Sequence, residues 1–272
     1  MSADGSFTIA QISDLHCGEK RFDTALIERT LSEINDLGPD LVVVAGDLTT
    51  DGYRDEYLEA KSYIDRLECD DVIVIAGNHD CRNVGYLHFE EVFGRRYHEA
   101  EYPFGVASDG EVQERIKVVA ADSNKPDLND GELGREKYAW IAREFADPEP
   151  FKLFILHHHL IGIPETGRER NILLDSGDAL EALCTAGVDM VLAGHRHVPY
   201  AWDLNGMLVI TSGTCATWRT RGTKPPSYNV IRISHERTEV TMKDLAYGHD
   251  VHLEFDRRPT VCTAGRLRGS GL

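Results

Sequence analysis

Positive charge is what this chain is shortest of. Among 272 residues, 29 Lys and Arg face 46 Asp and Glu, a formal net charge of −17. A negative field of that size disfavours nonspecific binding to nucleic acid or to an anionic membrane. Long apolar runs are also missing, so no segment reads as a bilayer-spanning helix. The stretch from Met1 to Gly5 is short and polar and lacks the charged-then-apolar pattern of a signal peptide, so the expected location is the cytoplasm. Cysteines are few and irregularly spaced. Cys17, Cys69, Cys81, Cys184, Cys215 and Cys262 form no C-x-x-C pair, which argues against a disulfide framework and against structural zinc. They read as small core residues, with Cys17 and Cys81 set apart because each directly follows a motif and is expected near it. Aromatics amount to only 8%, yet there is no low-complexity tract, so their scarcity does not signal disorder.

What is present is an alternation of strand and helix. Residues 7–13 read as a strand, and 23–37 carry Leu26, Ile27, Leu31 and Ile34 at helical spacing until Gly38-Pro39 ends the pattern. A strand over 41–45, an amphipathic helix over 53–67 and a strand over 72–76 follow. This β-α-β-α-β order implies parallel strands joined by right-handed crossovers. Further helices are expected over 84–93, 132–145 and 175–186, with strands at 116–120, 151–156 and 188–193. The remainder turns to strands at 199–204, 207–211, 228–234 and 238–245, with Asn205-Gly206 as a hairpin turn. These are expected to build a second, partly antiparallel sheet packed on the first. With 42% hydrophobic residues the chain can bury a sizeable core, and no linker or repeat divides it. A single domain is expected over residues 1–256, followed by a mobile tail over 257–272.

Five short segments end apolar runs: Asp14-Leu15-His16, Gly46-Asp47, Gly77-Asn78-His79-Asp80, His157-His158-His159 and Gly194-His195-Arg196-His197. Each alone has a bland reading, because Asp, Asn and Gly are ordinary turn residues and a single His is often a hydrogen-bonded core group. Jointly they supply carboxylate, carboxamide and imidazole donors enough for two metal ions. In an open parallel sheet the loops leaving the carboxyl ends of the strands converge on one crevice, so residues distant in sequence can meet. Oxygen and imidazole donors offered together suit Mn, Fe or Zn better than calcium. A two-metal centre of this kind hydrolyses phosphate esters. Bound cations would also reverse the local potential for an anionic substrate, which the net charge otherwise repels.

The order D-x-H, G-D, G-N-H-D, H, G-H-x-H, spanning Asp14 to His197, resembles the calcineurin-like metallophosphoesterase superfamily. The resemblance implies an α/β fold, a four-layer α/β/β/α sandwich with two mixed sheets. It assigns Asp14, His16 and His197 to one ion, Asn78, His157 and His195 to the second, and Asp47 as the bridge. His79 would stand above the ions, stabilising phosphate charge and protonating the leaving oxygen, while an activated water attacks phosphorus in line. His157 is the choice within the triple histidine because it directly follows the strand; His158 is the alternative, and a one-residue slip would turn it to the other face. Asp80 is either a support for the motif loop or a solvated turn carboxylate. Arg168, Arg170, Arg219 and Arg221 are the candidate substrate contacts, through bidentate bonds to phosphate oxygens. His88, His98, His235, His249 and His252 have no motif context and read as structural or surface groups.

The expected function is dinuclear-metal-dependent hydrolysis of a phosphoester bond in a small molecule. The resemblance points toward the 3′,5′-cyclic nucleotide phosphodiesterase branch, with a broad-specificity phosphatase or glycerophosphodiesterase as the alternative. The acidic balance and short C-terminal part argue against a nuclease, and the complete donor set argues against a non-catalytic scaffold. Family members often dimerise, which leaves an oligomer open.

Overall fold

The computed structural model describes residues 5–106, 112–167 and 170–262. β1 (Phe7–Ile12), α1 (Thr24–Leu37), β2 (Leu41–Ala45), α2 (Arg54–Ile64) and β3 (Val72–Ile75) form two strand–helix–strand units whose strands pair in parallel. α1 starts where the Asp23 side chain accepts from the Ala25 N–H at 2.9 Å, and it stops at Gly38, whose φ of 59° suits glycine. α3 (Gly85–Phe93) leads into the second sheet. There β4 (His98–Val106), β5 (Val112–Ala120), α4 (Arg135–Glu144), β6 (Phe151–Ile155), α5 (Ser176–Thr185), β7 (Met190–Ala193), β8 (Tyr200–Leu204) and β9 (Met207–Thr211) follow in turn. β5, β6, β7 and β9 run parallel, while β4 and β8 pair antiparallel at the two edges.

The last three strands, β10 (Ser227–Ile233), β11 (Arg237–Asp244) and β12 (Val251–Asp256), correct the sequence-based assignment. They return to the first sheet, where β10 lies antiparallel to β1, giving the order β12-β11-β10-β1-β2-β3. The second sheet has the order β4-β5-β6-β7-β9-β8. Two further strands, β4 and β12, lie outside the expected ones. Both are edge strands without a continuous apolar run; their period-two signal, Ala100, Tyr102 and Phe104 in β4 and Val251, Leu253 and Phe255 in β12, is thin, and β12 is exposed or half-buried throughout. Pro103 within β4 is tolerated because an edge strand has one unpaired side. α4 begins at Arg135 and not at 132, because Gly134 sits at φ 85° and its N–H, with that of Leu133, is held by the Asp175 carboxylate.

Period-two alternation sorts the strands between three cores. Val42 and Val44 of β2 pack with Leu26, Ile27 and Leu31 of α1 and with Tyr57 of α2. Leu41, Val43 and Ala45 face the other sheet, meeting Ile116, Val118, Leu153 and Ile155. Val119, Phe154 and Val191 of the second sheet face Ile141 of α4 and Leu183 of α5. The result is the expected four layers: helices, sheet, sheet, helices. Residues 257–261 run on from β12 against the second sheet. Arg257 bonds to Glu114 and the Ser234 carbonyl, and the Val261 N–H donates to the Asn205 carbonyl at 3.0 Å. Residues 263–272 lie outside the described residues. No helix among the described residues is long and apolar enough to cross a membrane.

The architecture fixes the site. β1, β2 and β3 present their carboxyl ends beside those of β6 and β7, and all five motif segments follow those ends.

Candidate metal centre

Two groups of donors form at the seam between the sheets. Asp14, His16, Asp47 and His197 make the first, and Asp47, His157 and His195 the second, with donor atoms inside each group within 4.8 Å of one another. All six of these residues are buried. In the first group His16 Nε2 lies 3.0 Å from His197 Nε2 and 3.7 Å from Asp47 Oδ2. His197 Nε2 is 3.3 Å from Asp14 Oδ1. In the second, His157 Nε2 lies 3.4 Å from Asp47 Oδ1. Asn78 joins this group, its Oδ1 2.9 Å from His195 Nδ1 and 3.3 Å from His157 Nε2.

The backbone bends to make this possible. Asp14, His16, Asp47, His195 and His197 all have positive φ, between 53° and 77°. Non-glycine residues in that region carry strain of about 1–3 kcal/mol each, and such strain concentrates at functional sites. Close approach does the rest. A Cβ on Gly77 would lie 2.2 Å from both the backbone N and Oδ1 of Asp47, and one on Gly194 would lie 1.9 Å from Ser13 Oγ.

The donor chemistry fits a cation. The His157 Nδ1–H donates to the Ala45 carbonyl at 2.7 Å, and the His197 Nδ1–H donates to the Arg219 carbonyl. Each bond fixes the tautomer and aims an Nε2 lone pair inward. Lone pairs and carboxylate oxygens therefore converge on one another, which repels unless positive charge sits among them. Asp14 Oδ1 is buried and accepts no hydrogen bond, an arrangement that needs an explanation in a native interior.

Protonation tendencies agree. Burial holds His16 and His195 well below the ordinary imidazole value, so both stay neutral. Burial opposes the charge of Asp47, yet His157 and the other imidazoles outweigh it and keep that carboxyl well below its usual range. Burial likewise opposes a charge on His157, but Asp47 overrides it and pushes His157 up to about 9. The space beside Asp47 thus favours a positive charge, whether proton or metal.

His158 is used elsewhere. Its Nδ1 pairs with Ser123 Oγ at 2.8 Å and its Nε2 with the Asn129 carbonyl at 3.2 Å, and burial followed by His157 lowers it to about 3. His79 belongs to neither donor group. Its backbone N–H donates to Asp47 Oδ1 at 2.9 Å, its Nδ1–H donates to the Thr50 carbonyl at 2.6 Å, and its ring stands edge-on to His16 at 4.6 Å. Asp80 is fully buried and supports the motif loops. Its carboxylate accepts from the backbone N–H groups of Leu48, Thr49 and Gly77 and from Thr49 Oγ1, at 2.7–3.1 Å. Burial, with Asp47 next, pushes Asp80 up to about 7 despite those donors.

The four candidate arginines occupy different positions. Arg168 lies outside the described residues. Arg170 and Arg221 are exposed. Arg219 reaches the centre through its carbonyl on His197, while its guanidinium lies 3.4 Å from Glu19. The cation nearest His79 is instead Arg82, with Nη2 3.2 Å from His79 Nε2 and 2.9 Å from Asn129 Oδ1, and Nη1 3.1 Å from the Thr50 carbonyl. Arg82 stands four residues beyond Asn78, so the motif loop itself was the available signal. Asn129 had none. Cys17 and Cys81 are buried, their thiols pushed up by burial, and neither contributes to a donor group among the described residues.

A family model for calcineurin-like phosphoesterases matches residues 7–199. A probable cyclic nucleotide phosphodiesterase of Synechococcus sp. is 27% identical over 200 residues, covering 71% of this chain and 74% of that protein. A probable glycerophosphodiester phosphodiesterase of Arcobacter nitrofigilis is 28% identical over 226 residues, covering 76% of this chain and 77% of that protein. The purple acid phosphatase PPD1 from seeds of yellow lupin, Lupinus luteus, superposes with a TM-score of 0.70 at 14% identity, covering 96% of this chain and 57% of that one, a likeness of fold. A buried cup of carboxylate and imidazole donors at the strand ends, on a chain matched by that family model from β1 past His197, makes this protein a member of the calcineurin-like phosphoesterase family and a metal-dependent phosphoester hydrolase.

Proposed function

We propose that the chain hydrolyses a phosphodiester bond in a small molecule, with a 3′,5′-cyclic nucleotide as the first candidate, at a centre of two metal ions. Asp14, His16 and His197 would hold one ion, Asn78, His157 and His195 the other, and Asp47 would reach both. The observation that carries this reading is the division of the Asp47 carboxylate, with Oδ2 3.7 Å from His16 Nε2 and Oδ1 3.4 Å from His157 Nε2. When bound, such ions supply Lewis acidity and lower the pKa of a coordinated water; Mn, Fe and Zn all suit these donors.

The chain's own groups do the rest. His79 gives its Nδ1–H to the Thr50 carbonyl, so its neutral Nε2, once the substrate phosphate has drawn Arg82 off it, would take the proton released by the attacking water and pass it to the leaving oxygen. Arg82 stands beside that nitrogen, its guanidinium planar and part-exposed, and would meet a non-bridging phosphate oxygen as negative charge develops there. It joins Arg168, Arg170, Arg219 and Arg221 as a proposed substrate contact; of these the Arg219 charge also acts on His16 and His79. Asp80 holds the loops of Asp47 and Asn78 in place, so the acceptor positions do not shift as the substrate changes shape.

The name of the Synechococcus relative supports the cyclic-nucleotide choice, and that of the Arcobacter relative supports a glycerophosphodiester as the second reading. The test is a chain stripped of metal, reconstituted with Mn²⁺, and assayed on 3′,5′-cyclic AMP, glycerophosphodiesters, bis-p-nitrophenyl phosphate and p-nitrophenyl phosphate. Turnover of cyclic AMP is expected. Turnover of glycerophosphodiesters alone selects the second reading, and inertness toward all four with two ions bound defeats both.

A further inference from the structure

The loop that leaves β5 crosses the seam and fastens onto the loop after β3. Asn124 Nδ2 donates to the Ala76 carbonyl at 2.7 Å, the Asp127 N–H donates to the Cys81 carbonyl at 3.2 Å, and Asp127 Oδ1 accepts from the Asn83 N–H at 2.9 Å. Near the far end of this strap sits Asn129, exposed at the mouth of the centre. Its Oδ1 accepts from Arg82 Nη2 at 2.9 Å and from Asn78 Nδ2 at 3.2 Å.

The polarity of that chain of bonds is forced. A guanidinium can only donate, so the Asn129 atom facing Arg82 must be its carbonyl oxygen. That same oxygen then requires a donor from Asn78, which must be its NH₂. The Asn78 carbonyl oxygen is thereby turned inward, onto His157 Nε2 and His195 Nδ1. The two ends of a carboxamide are nearly the same size, so shape alone does not choose between them. Left to itself, the Asn78 amide could turn its NH₂ toward the lone pair of the neutral His195 imidazole. That would present a donor where a cation needs an acceptor.

We infer that Asn129 is a positioning residue, fixed by Arg82, that determines which end of the Asn78 carboxamide faces the second metal position. The inference rests on the two-metal reading above. Asn129 belongs to neither donor group; it acts through Asn78, as outer partners commonly do for metal ligands.

The experiment is Mn²⁺ binding by equilibrium dialysis to the metal-stripped full chain and to Asn129→Ala, Asn129→Asp and Asn78→Ala, with melting temperatures measured in EDTA. Asn129→Ala is expected to keep the first ion at wild-type affinity and to bind the second roughly 10- to 100-fold more weakly. Its metal-free melting temperature should match wild type, since the side chain is exposed. Asn129→Asp needs only to accept the same two bonds and is expected to restore the second affinity. In activity, excess Mn²⁺ should return the kcat of Asn129→Ala to the wild-type level. Wild-type affinity for the second ion in Asn129→Ala, or Asn129→Asp binding no better than Asn129→Ala, overturns the positioning role while leaving the two-metal reading intact. Two tight ions in Asn78→Ala overturn that reading, and the inference with it.

Discussion

Asp80 offers the most direct test of how the site is held. Its carboxylate is fully buried and accepts three backbone N–H bonds and one hydroxyl bond, linking the loop after β2 to the loop after β3. Asp80→Ala removes every acceptor at once and leaves the Leu48, Thr49 and Gly77 N–H groups without partners in a dry interior. At roughly 1–3 kcal/mol for each orphaned donor, the loss is about 3–9 kcal/mol. Total stability for a domain is about 5–15 kcal/mol, so this one change should consume much of it. Asp80→Asn keeps the volume but converts one oxygen into a donor. If its oxygen serves Thr49, its NH₂ meets the Leu48 and Gly77 N–H groups, two orphans for a cost of about 2–6 kcal/mol. The assay is urea unfolding at pH 8 in EDTA, where the carboxyl is ionised and no metal contributes. Asp65→Ala, on the exposed end of α2, serves as the reference and should change stability by no more than about 0.5 kcal/mol. A loss of less than about 1 kcal/mol in Asp80→Ala would refute the reasoning, because it would mean those N–H groups find other partners.

Further outcomes follow from other residues. His157→Ala should bind one Mn²⁺ per chain while His158→Ala binds two, measured by elemental analysis after dialysis; the reverse pattern would reassign the ligand. Gly77→Ala should abolish metal binding and activity in a chain that still shows the wild-type circular dichroism, since its Cβ would meet Asp47 at 2.2 Å. His98 donates Nε2–H to the Val74 carbonyl, and burial lowers its pKa below 6.5. The unfolded chain therefore takes up a proton that the fold refuses, and stability falls as pH drops below 6.5. In His98→Gln the slope of stability against pH over that acid range should be shallower by up to about one proton, and an unchanged slope would count against this. Saturating Mn²⁺ should raise the melting temperature of the stripped chain, with about 4 kcal/mol of stabilisation for each ion bound at a thousandfold excess over its Kd; scanning calorimetry with and without EDTA reads it.

The parts of this molecule that were legible in the sequence share one property. β2, β3 and β7 are buried and read as unbroken apolar runs, while β1 and β6 are apolar runs interrupted by Thr8 and Gln11 and by Lys152, and the polar motif that ends each run is conspicuous. That is why Asp14, Asp47, Asn78, His157 and His195 could be picked out from spacing. β4 and β12 escaped because edge strands need no such run. The destination of β10 to β12 escaped for another reason: hairpin signals report that strands pair, and nothing local reports which sheet receives them. Arg82 and Asn129 were invisible as partners because their meeting depends on a loop from one sheet reaching a loop of the other.

Neither sheet carries a complete donor group by itself. The first contributes Asp14, His16, Asp47 and Asn78, and the second contributes His157, His195 and His197. A half-assembled molecule would hold only fragments of each coordination set and could capture an ion only loosely. On the two-metal proposal, tight capture would come after the two halves have docked, and each ion would then act as a rivet through both layers. Chelation should therefore be felt first as a loosening across the seam, with the helices on either flank the last to notice.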